Sequence, residues 1–243
     1  MPVKQDPCVI EPKRGRREEC LPPHAILLYI PEDLASFAAC FQTPPRHSHK
    51  IYLTDVHIGS FEGSAVALAG PMLGAPQTVL VLEKMIALGC KKVVAVGWCG
   101  SLQSEVVIGD VVLPSGAISE EGTSAHYPGT ECFPSPELVN LLKAALSSTG
   151  ATIREGIVWT TDAPFRETCA KVTAFQSQGV LAVDMETSAL FSVARFRGVD
   201  LAAVLIVSDD LSSLKWVHGF RDAAFHESRK RVINPILKSI CRA

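Results

Sequence analysis

The stretch VVAVGWCGSL, from Val93 to Leu102, joins a short apolar run to a turn of small residues that carries one tryptophan. Continuous apolar character is typical of a strand that is covered on both faces of a sheet. Similar runs occur at residues 25–30, 65–69, 110–114, 156–160 and 201–207. The sequence therefore predicts a sheet in which buried strands dominate.

Helical patterns lie between these strands, over residues 75–89, 135–150, 185–198 and about 222–240. The second is the clearest, because Ser135 stands at the N-cap position, Pro136 at the first helical position and Gly150 after the end. Pro235 is expected to kink the last helix. Alternating strands and helices predict an α/β fold with a parallel or mixed central sheet, helices on both faces, and functional groups where strands end.

The composition is that of an ordinary globular protein. The 243 residues are 47% hydrophobic and 20% charged, and we expect residues 1–24 to form an N-terminal arm and residues 25–243 a single domain. The net charge of -2 gives no field that would attract nucleic acid or anionic lipid. The basic run at residues 12–17 is interpreted as part of a solvated arm, and neither a signal peptide nor a membrane span is predicted.

The eight cysteines are scattered and form no C-x-x-C pair, so neither a zinc site nor a disulfide framework is predicted. A reducing cytoplasm suits such a chain best. The turn after Val96 lacks both the G-x-G-x-x-G fingerprint of dinucleotide sites and the G-K-[ST] of nucleotide-phosphate loops. We therefore predict no metal ion or organic cofactor and exclude a dinucleotide-dependent oxidoreductase.

Three strand ends carry the residues of most chemical interest: VGWCGS at 96–101, VDMETS at 183–188 and VSDDL at 207–211. Acidic residues at a helix start are stabilised by the helix dipole, so a structural role for the acids of the second segment remains open. Asp210 is interpreted as a surface cap, whereas Asp209, directly after the apolar strand, is poorly explained in that way.

In chain order, the segments GAPQ, LGCKKVVAVGWCGSL, IGDVVLP, EEGTSAHY, TTDAPFRET, VDMETSAL and VSDD resemble the nucleoside phosphorylase and nucleosidase superfamily, particularly its uridine phosphorylase-like members. The resemblance extends over about residues 25–219. It implies a single-domain α/β fold with a mixed, partly barrel-like central sheet flanked by helices. It also implies cleavage of a nucleoside's N-glycosidic bond, with phosphate or water as acceptor, by a homo-oligomer that is a dimer or a hexamer.

The resemblance assigns roles around the sugar and the leaving base. Glu186 matches the glutamate that accepts hydrogen bonds from the ribose 2′ and 3′ hydroxyls, and Met185 packs under the sugar. A carboxylate has the two oxygens that a vicinal diol requires, and its charge favours an oxocarbenium ion nearby. Asp209 matches the aspartate that donates a proton to purine N7, which requires a raised pKa that burial would provide. Pyrimidine-specific members generally lack this aspartate, so a purine is favoured and uridine remains possible.

Further residues are assigned to the base itself. Phe165 is expected to stack on the base and Arg166 to donate to a base carbonyl, in a region where relatives place an aromatic wall. Asp184 is placed with them among the base-binding residues.

The segments that would hold the acceptor depart from the family pattern. A loop is expected at residues 30–37, where relatives carry a G-D-P-x-R motif, and its glycine and arginine are replaced. Ala95 stands at the place of a phosphate-binding arginine. Trp98 stands at the place of a serine or threonine, and either it fills the anion site or its ring points away while backbone N–H groups serve the anion. The acceptor region is expected to comprise Gly97, Trp98, Cys99 and Arg46.

Two acceptors are therefore compatible with the sequence. Loss of the phosphate-binding arginines favours hydrolysis, whereas a replacement site from Arg46, Lys50 or Arg166 would preserve phosphorolysis, with phosphate as co-substrate. A non-catalytic protein that binds a nucleoside or another small ligand is a third alternative, although it would need neither the ribose-binding glutamate nor the acid at Asp209.

Overall fold

A computed structural model describes residues 8–127 and 131–243. Within these ranges the strands are β1 (His24–Leu28), β2 (Arg46–Ile51), β3 (Thr54–Phe61), β4 (Ser64–Gly70), β5 (Lys92–Ser101), β6 (Val111–Glu120), β7 (Ile153–Thr161), β8 (Ala182–Asp184), β9 (Asp200–Asp210) and β10 (Val217–His218). The α helices are α1 (Pro31–Ala38), α2 (Ala75–Leu88), α3 (Pro136–Ser147), α4 (Cys169–Ser177), α5 (Thr187–Arg197), α6 (Ala223–Arg231) and α7 (Ile233–Arg242). Short 3₁₀ turns occupy Ser124–His126 and Pro164–Arg166.

The strands form one mixed sheet that partly closes on itself. Their order is β10-β9-β6-β7-β8-β5-β1-β4-β3-β2, and a further pairing of β9 with β5 closes a ring of five strands, β9-β6-β7-β8-β5. β5 pairs in parallel with both β1 and β9, whereas β6 pairs antiparallel with β9. The mixed, partly barrel-like sheet implied by the resemblance is confirmed.

Alternate residues of β5 face two different layers of the core. Val93 and Ala95 pack on the side of α2 and α5, whereas Val94 and Val96 pack on the side of α3 and α7. Both faces of this strand are buried, which is why its sequence is continuously apolar. All six predicted strands and all four predicted helical regions are present.

One local prediction is wrong. Residues 30–37 form helix α1 with Pro31 at its first position rather than a loop, and this helix turns Asp33 and Phe37 towards the core. The interruption expected at Pro235 is present: the last helical region divides at Val232 into α6 and α7, one turn before the proline, which lies in the first turn of α7. No helix within residues 8–127 and 131–243 is long and apolar enough to cross a membrane.

Candidate active site

The three strand ends singled out in the sequence meet at one cavity of about 770 Å³. It lies where β5, β8 and β9 end and where the chain leaves β1, as expected for an α/β sheet. Four carboxyl groups line it, those of Glu167, Asp184, Glu186 and Asp209. Tyr29, Trp98 and Cys99 line it as well.

Glu186 lies at the junction of β8 and α5 and is 4% exposed. Its Oε1 accepts a hydrogen bond of 2.6 Å from the backbone N–H of Gly74, just before α2. Burial, and then the negative charge of Asp184, raise the pKa of Glu186 to about 8. Met185 also lines the cavity. A carboxyl group whose negative charge is disfavoured by burial and by a neighbouring acid is suited to a ligand that develops positive charge beside it.

Asp184 supports this junction. One oxygen accepts a hydrogen bond of 2.7 Å from Thr160 Oγ1, and the other accepts bonds of 2.9 and 2.5 Å from the backbone N–H and Oγ1 of Thr187. Burial raises its pKa, against the effect of these donors. Because both oxygens already have donors inside the protein, Asp184 fixes the start of α5 and thereby the position of Glu186.

Asp209 stands at the end of β9 and is half-buried. Oδ1 accepts a hydrogen bond of 2.6 Å from Ser208 Oγ, and Oδ2 accepts one of 2.9 Å from Trp216 Nε1. Gly100 on the neighbouring strand leaves room for it, since a Cβ there would lie 3.0 Å from Oδ2 and 2.5 Å from Leu211 Cδ1. The position predicted for the acid is therefore held by two donors at the edge of the cavity.

Glu167 is a cavity residue that the sequence reasoning missed. It follows the 3₁₀ turn Pro164–Arg166, is half-buried and lines the cavity together with Asp209. Within the described ranges its side chain makes no hydrogen bond or ion pair. Burial, and then the charge of Asp209, raise its pKa to about 7. No periodicity marks this irregular segment, so the sequence gives no signal that Glu167 turns inwards.

Phe165 and Arg166, the two residues of this segment that were predicted to bind the base, differ in their position relative to the cavity. Phe165 lines the mouth of the cavity with its side chain fully exposed. Arg166 is exposed and does not line the cavity. Phe165 is thus available to a bound base, whereas Arg166 does not reach the cavity in this arrangement.

Trp98 uses its only donor inside the protein. Its Nε1 donates a hydrogen bond of 2.9 Å to Oδ2 of Asp33 on α1, and Oδ1 of Asp33 accepts one of 2.8 Å from Arg229 Nε on α6. The guanidinium carbon of Arg229 lies 4.7 Å from the centre of the Trp98 ring, and the Phe225 ring meets the indole edge-on at 4.9 Å. Asp33 is 5% exposed, and burial raises its pKa although Arg229 and Trp98 act against this shift. The indole therefore separates a buried ion pair from the cavity.

The cations nominated for the acceptor do not gather in the cavity. In the described part of the chain, no lysine or arginine lines it. Arg46 is exposed on β2 and pairs with Glu19, and Lys50 pairs with Asp55 at 3.3 Å. Within one chain, the cavity therefore carries carboxylates but no charge that would attract phosphate.

Gly97 and Cys99, which flank Trp98, have structural roles in this arrangement. Gly97 provides space for the ring of Tyr29, whose Cδ2 would lie 2.0 Å from a Cβ at position 97. Cys99 lines the cavity, and burial raises the pKa of its thiol well above the ordinary value. A thiol that stays protonated is a poor nucleophile.

Comparisons with known proteins agree with this architecture. A family model described as the phosphorylase superfamily matches residues 23–240. A DeoD-type purine nucleoside phosphorylase of Bacillus cytotoxicus is 34% identical over 157 residues, which are 63% of this chain and 67% of the relative. A DeoD-type purine nucleoside phosphorylase of Bacillus cereus is 33% identical over 157 residues, again 63% of this chain and 67% of the relative.

Two solved structures are similar in fold. The uridine phosphorylase of Vibrio fischeri has a TM-score of 0.85 at 20% identity and covers 95% of this chain and 100% of its own. The purine nucleoside phosphorylase of Toxoplasma gondii, in complex with immucillin-H, has a TM-score of 0.84 at 19% identity and covers 98% of each chain. At these identities the likeness concerns the fold alone.

Proposed function

The chain belongs to the phosphorylase superfamily, as an enzyme of the nucleoside phosphorylase family, and from that premise we propose that it cleaves the N-glycosidic bond of a purine nucleoside with water as the acceptor. The observation that carries the proposal is the cavity itself. It brings Glu186, Met185 and Asp209 together, and no lysine or arginine of the described ranges lines it.

The ribose is proposed to bind at Glu186. Backbone N–H groups of Gly74 and Met185 hold its carboxyl group at the edge of the cavity, where it would accept from the sugar hydroxyls. Cleavage gives the ribose an oxocarbenium-like charge, and this charge offsets the cost of ionising carboxyl groups that are buried close to one another. The same crowding thus favours a cation beside these groups in the transition state.

The leaving base is proposed to take its proton from the pair Asp209 and Glu167. Asp209 accepts hydrogen bonds from Ser208 and Trp216. Glu167 makes none within the described ranges, and burial, followed by the charge of Asp209, raises its pKa to about 7, so that it keeps its proton below that pH. Asp209 would lie beside N7 of a purine, and the pair would supply the proton that N7 takes up as the base leaves.

Water is proposed as the acceptor because phosphate would bring negative charge into a cavity that already holds four carboxyl groups. The water oxygen bonds to C1′ as the C1′–N bond breaks, and the surplus proton of that water passes to a cavity carboxylate. The base leaves with the proton it received, so that the products are free base and free ribose.

Phosphorolysis is the second candidate, since the relatives in sequence are named purine nucleoside phosphorylases. It would require a cation from outside the chain's own cavity. Arg46, which is exposed on β2, would supply one if a second copy placed it at the mouth of the cavity. The two candidates differ in one product, ribose or ribose 1-phosphate.

The test is an incubation of the purified protein with inosine, guanosine, adenosine, methylthioadenosine, uridine and thymidine, with and without phosphate, followed by chromatography of base and sugar. We expect phosphate-independent release of a purine and free ribose. Glu186→Gln controls for contaminating activity, because it removes the proposed ribose contact. Release that needs phosphate and gives ribose 1-phosphate contradicts hydrolysis, and no release from any nucleoside contradicts the proposed function as a whole.

A further inference from the structure

Trp216 is an exposed tryptophan whose hydrogen bond ends on the proposed acid. The residue is 63% exposed, although tryptophans are highly buried on average. An indole has a single N–H donor, and that of Trp216 donates to Oδ2 of Asp209 over 2.9 Å. Both residues line the cavity. Packing in the core therefore does not account for this tryptophan, and its contact with Asp209 needs an explanation in terms of the site.

The segment that carries Trp216 is anchored to the strand that ends in the acid. β10 pairs antiparallel with the end of β9, so that His218 lies opposite Asp209. The backbone N–H of Leu211 donates to the carbonyl of Ser101 at 2.9 Å, and that of Gly219 donates to the carbonyl of Ser208 at 2.8 Å. Residues 211–219 thus form a hairpin loop that is held at both ends and brings the indole back to the acid.

Ser208 and Trp216 hold the two oxygens of one carboxyl group. Ser208 Oγ lies 2.6 Å from Oδ1 of Asp209, so the indole N–H on Oδ2 stops the group from rotating about its Cβ–Cγ bond. Ser208 is the adjacent residue in the chain, whereas Trp216 reaches Asp209 from another segment. Loss of the indole N–H would therefore leave one oxygen of the acid free to turn.

We propose that Trp216 is a positioning residue, which holds the carboxyl group of Asp209 in the orientation that serves protonation of the leaving base. The inference rests on the proposed function, but only on its base protonation, so it holds whether water or phosphate is the acceptor. As the C1′–N bond breaks, its electrons pass to the base and N7 takes up a proton from the pair of Asp209 and Glu167. A displacement of about 1 Å at such a contact costs about 100-fold in rate. The indole itself gives up no proton.

The first test compares two leaving groups in Trp216→Phe, which keeps an aromatic ring and removes the N–H. One substrate is the purine nucleoside that the wild type cleaves fastest, and the other is p-nitrophenyl riboside, whose p-nitrophenolate leaves without a proton. With phosphate present, so that either acceptor can serve, we expect kcat/KM to fall about 10- to 100-fold for the purine nucleoside and less than about threefold for the riboside. Tm should change little, because the indole is exposed.

The matched control is Trp159→Phe. Trp159 Nε1 donates to Oε2 of Glu120 at 3.1 Å, and neither residue is among the described residues that line the cavity. Trp159 is fully buried, so this variant is expected to lower Tm. The ratio of the two kcat/KM values should nevertheless stay at that of the wild type, because no contact of the acid is removed.

A double variant shows whether Trp216 acts through Asp209. Once Asp209→Asn has removed the acid, Trp216→Phe should lower kcat/KM for the purine nucleoside by less than about threefold more, because the two residues belong to one contact. An unchanged kcat/KM in the single variant, an equal loss for both leaving groups, or a full further loss in the double variant would overturn the inference while wild-type cleavage still stood. A wild-type protein that releases no base from any nucleoside would overturn the proposed function, and this inference with it.

Discussion

Two tryptophan–aspartate pairs in this molecule share one geometry and differ in their surroundings. Trp98 donates to Asp33 and Trp216 donates to Asp209, both over 2.9 Å. The first pair is buried and includes the guanidinium of Arg229, whereas Trp216 is 63% exposed at the mouth of the cavity. The same hydrogen bond therefore belongs to a closed ion pair in one region and to an accessible acid in the other.

The difference shows that burial and the third partner decide what an aspartate can do. Asp33 is neutralised by a cation within the protein, so its charge is not presented to a ligand. Among residues 8–127 and 131–243, Asp209 forms no ion pair, and it faces a cavity lined by three other carboxyl groups. Replacing equivalent atoms in the two pairs should consequently affect stability in the first and catalysis in the second.

The largest expected effect is on the rate, from Asp209→Asn. The amide keeps the shape of the side chain but cannot exchange a proton with the leaving base, so we expect kcat/KM to fall about 1,000-fold. The free energy of unfolding should change by less than about 1 kcal/mol, because the site is half-buried. Steady-state base release and urea unfolding measure the two quantities.

The matched change is Asp33→Asn, for which the expected effect is on stability. It leaves Arg229 buried without a counter-charge, and we expect the free energy of unfolding to fall by about 3 kcal/mol. Urea unfolding measures it, with the exposed pair Lys230–Glu227 as reference: Glu227→Gln should change stability by less than about 0.5 kcal/mol.

A double variant sharpens this result. Asp33→Leu combined with Arg229→Met removes both charges, and it should recover most of the lost stability because no unpaired charge remains. Equal losses in the single and double variants would contradict the interpretation of Asp33 and Arg229 as a coupled pair.

The strands could be predicted from the sequence because burial on both faces leaves a continuous apolar run, as in β5 and β9. The closure of five strands into a ring depends on long-range pairing, and only the resemblance indicated it. Helix α1 was missed because the side chain that faces the core is Asp33, whose partner Arg229 lies 196 residues further along the chain. An apolar pattern cannot signal a buried position that is filled by an ion pair.

The residues of the candidate site also divide into those that could be predicted from the sequence and those that could not. Glu186 and Asp209 could be nominated because each ends a recognisable strand, although their roles stay predictions. Glu167 and Tyr29 could not, since the direction in which a side chain points from an irregular segment exists only in three dimensions. Nor could the sequence decide between the two orientations of Trp98, which depend on its contact with Asp33.

A smaller effect is expected from Glu167→Gln, about tenfold on kcat/KM near neutral pH. In the wild type the pKa of about 7 keeps Glu167 protonated below that pH, so the ratio of wild-type to variant kcat/KM should fall as pH rises through 7. Taking the ratio cancels the titration of Glu186, which both proteins share. A ratio that stays constant over this interval would contradict the assignment of the proton to Glu167.

The same pKa makes a prediction about stability. It is raised from an ordinary value of 4.5, so the folded protein binds this proton more tightly than the unfolded chain. The stabilisation is complete below about pH 4.5 and is lost as pH rises through 7. Relative to Glu167→Gln, the wild type should therefore lose stability over this interval, which urea unfolding at a series of pH values would measure.

The smallest effects come from the two indoles. Trp98→Phe removes a half-buried donor to the buried carboxyl group of Asp33, which should cost about 1 kcal/mol of unfolding free energy. Trp216→Phe removes an equally long bond at an exposed site, where water replaces the lost donor, and should cost less than about 0.5 kcal/mol. Urea unfolding of both variants compares them directly. Equal losses would mean that the length of the bond, and not its burial, sets its contribution, and the contrast between the two aspartates would then rest on Arg229 alone.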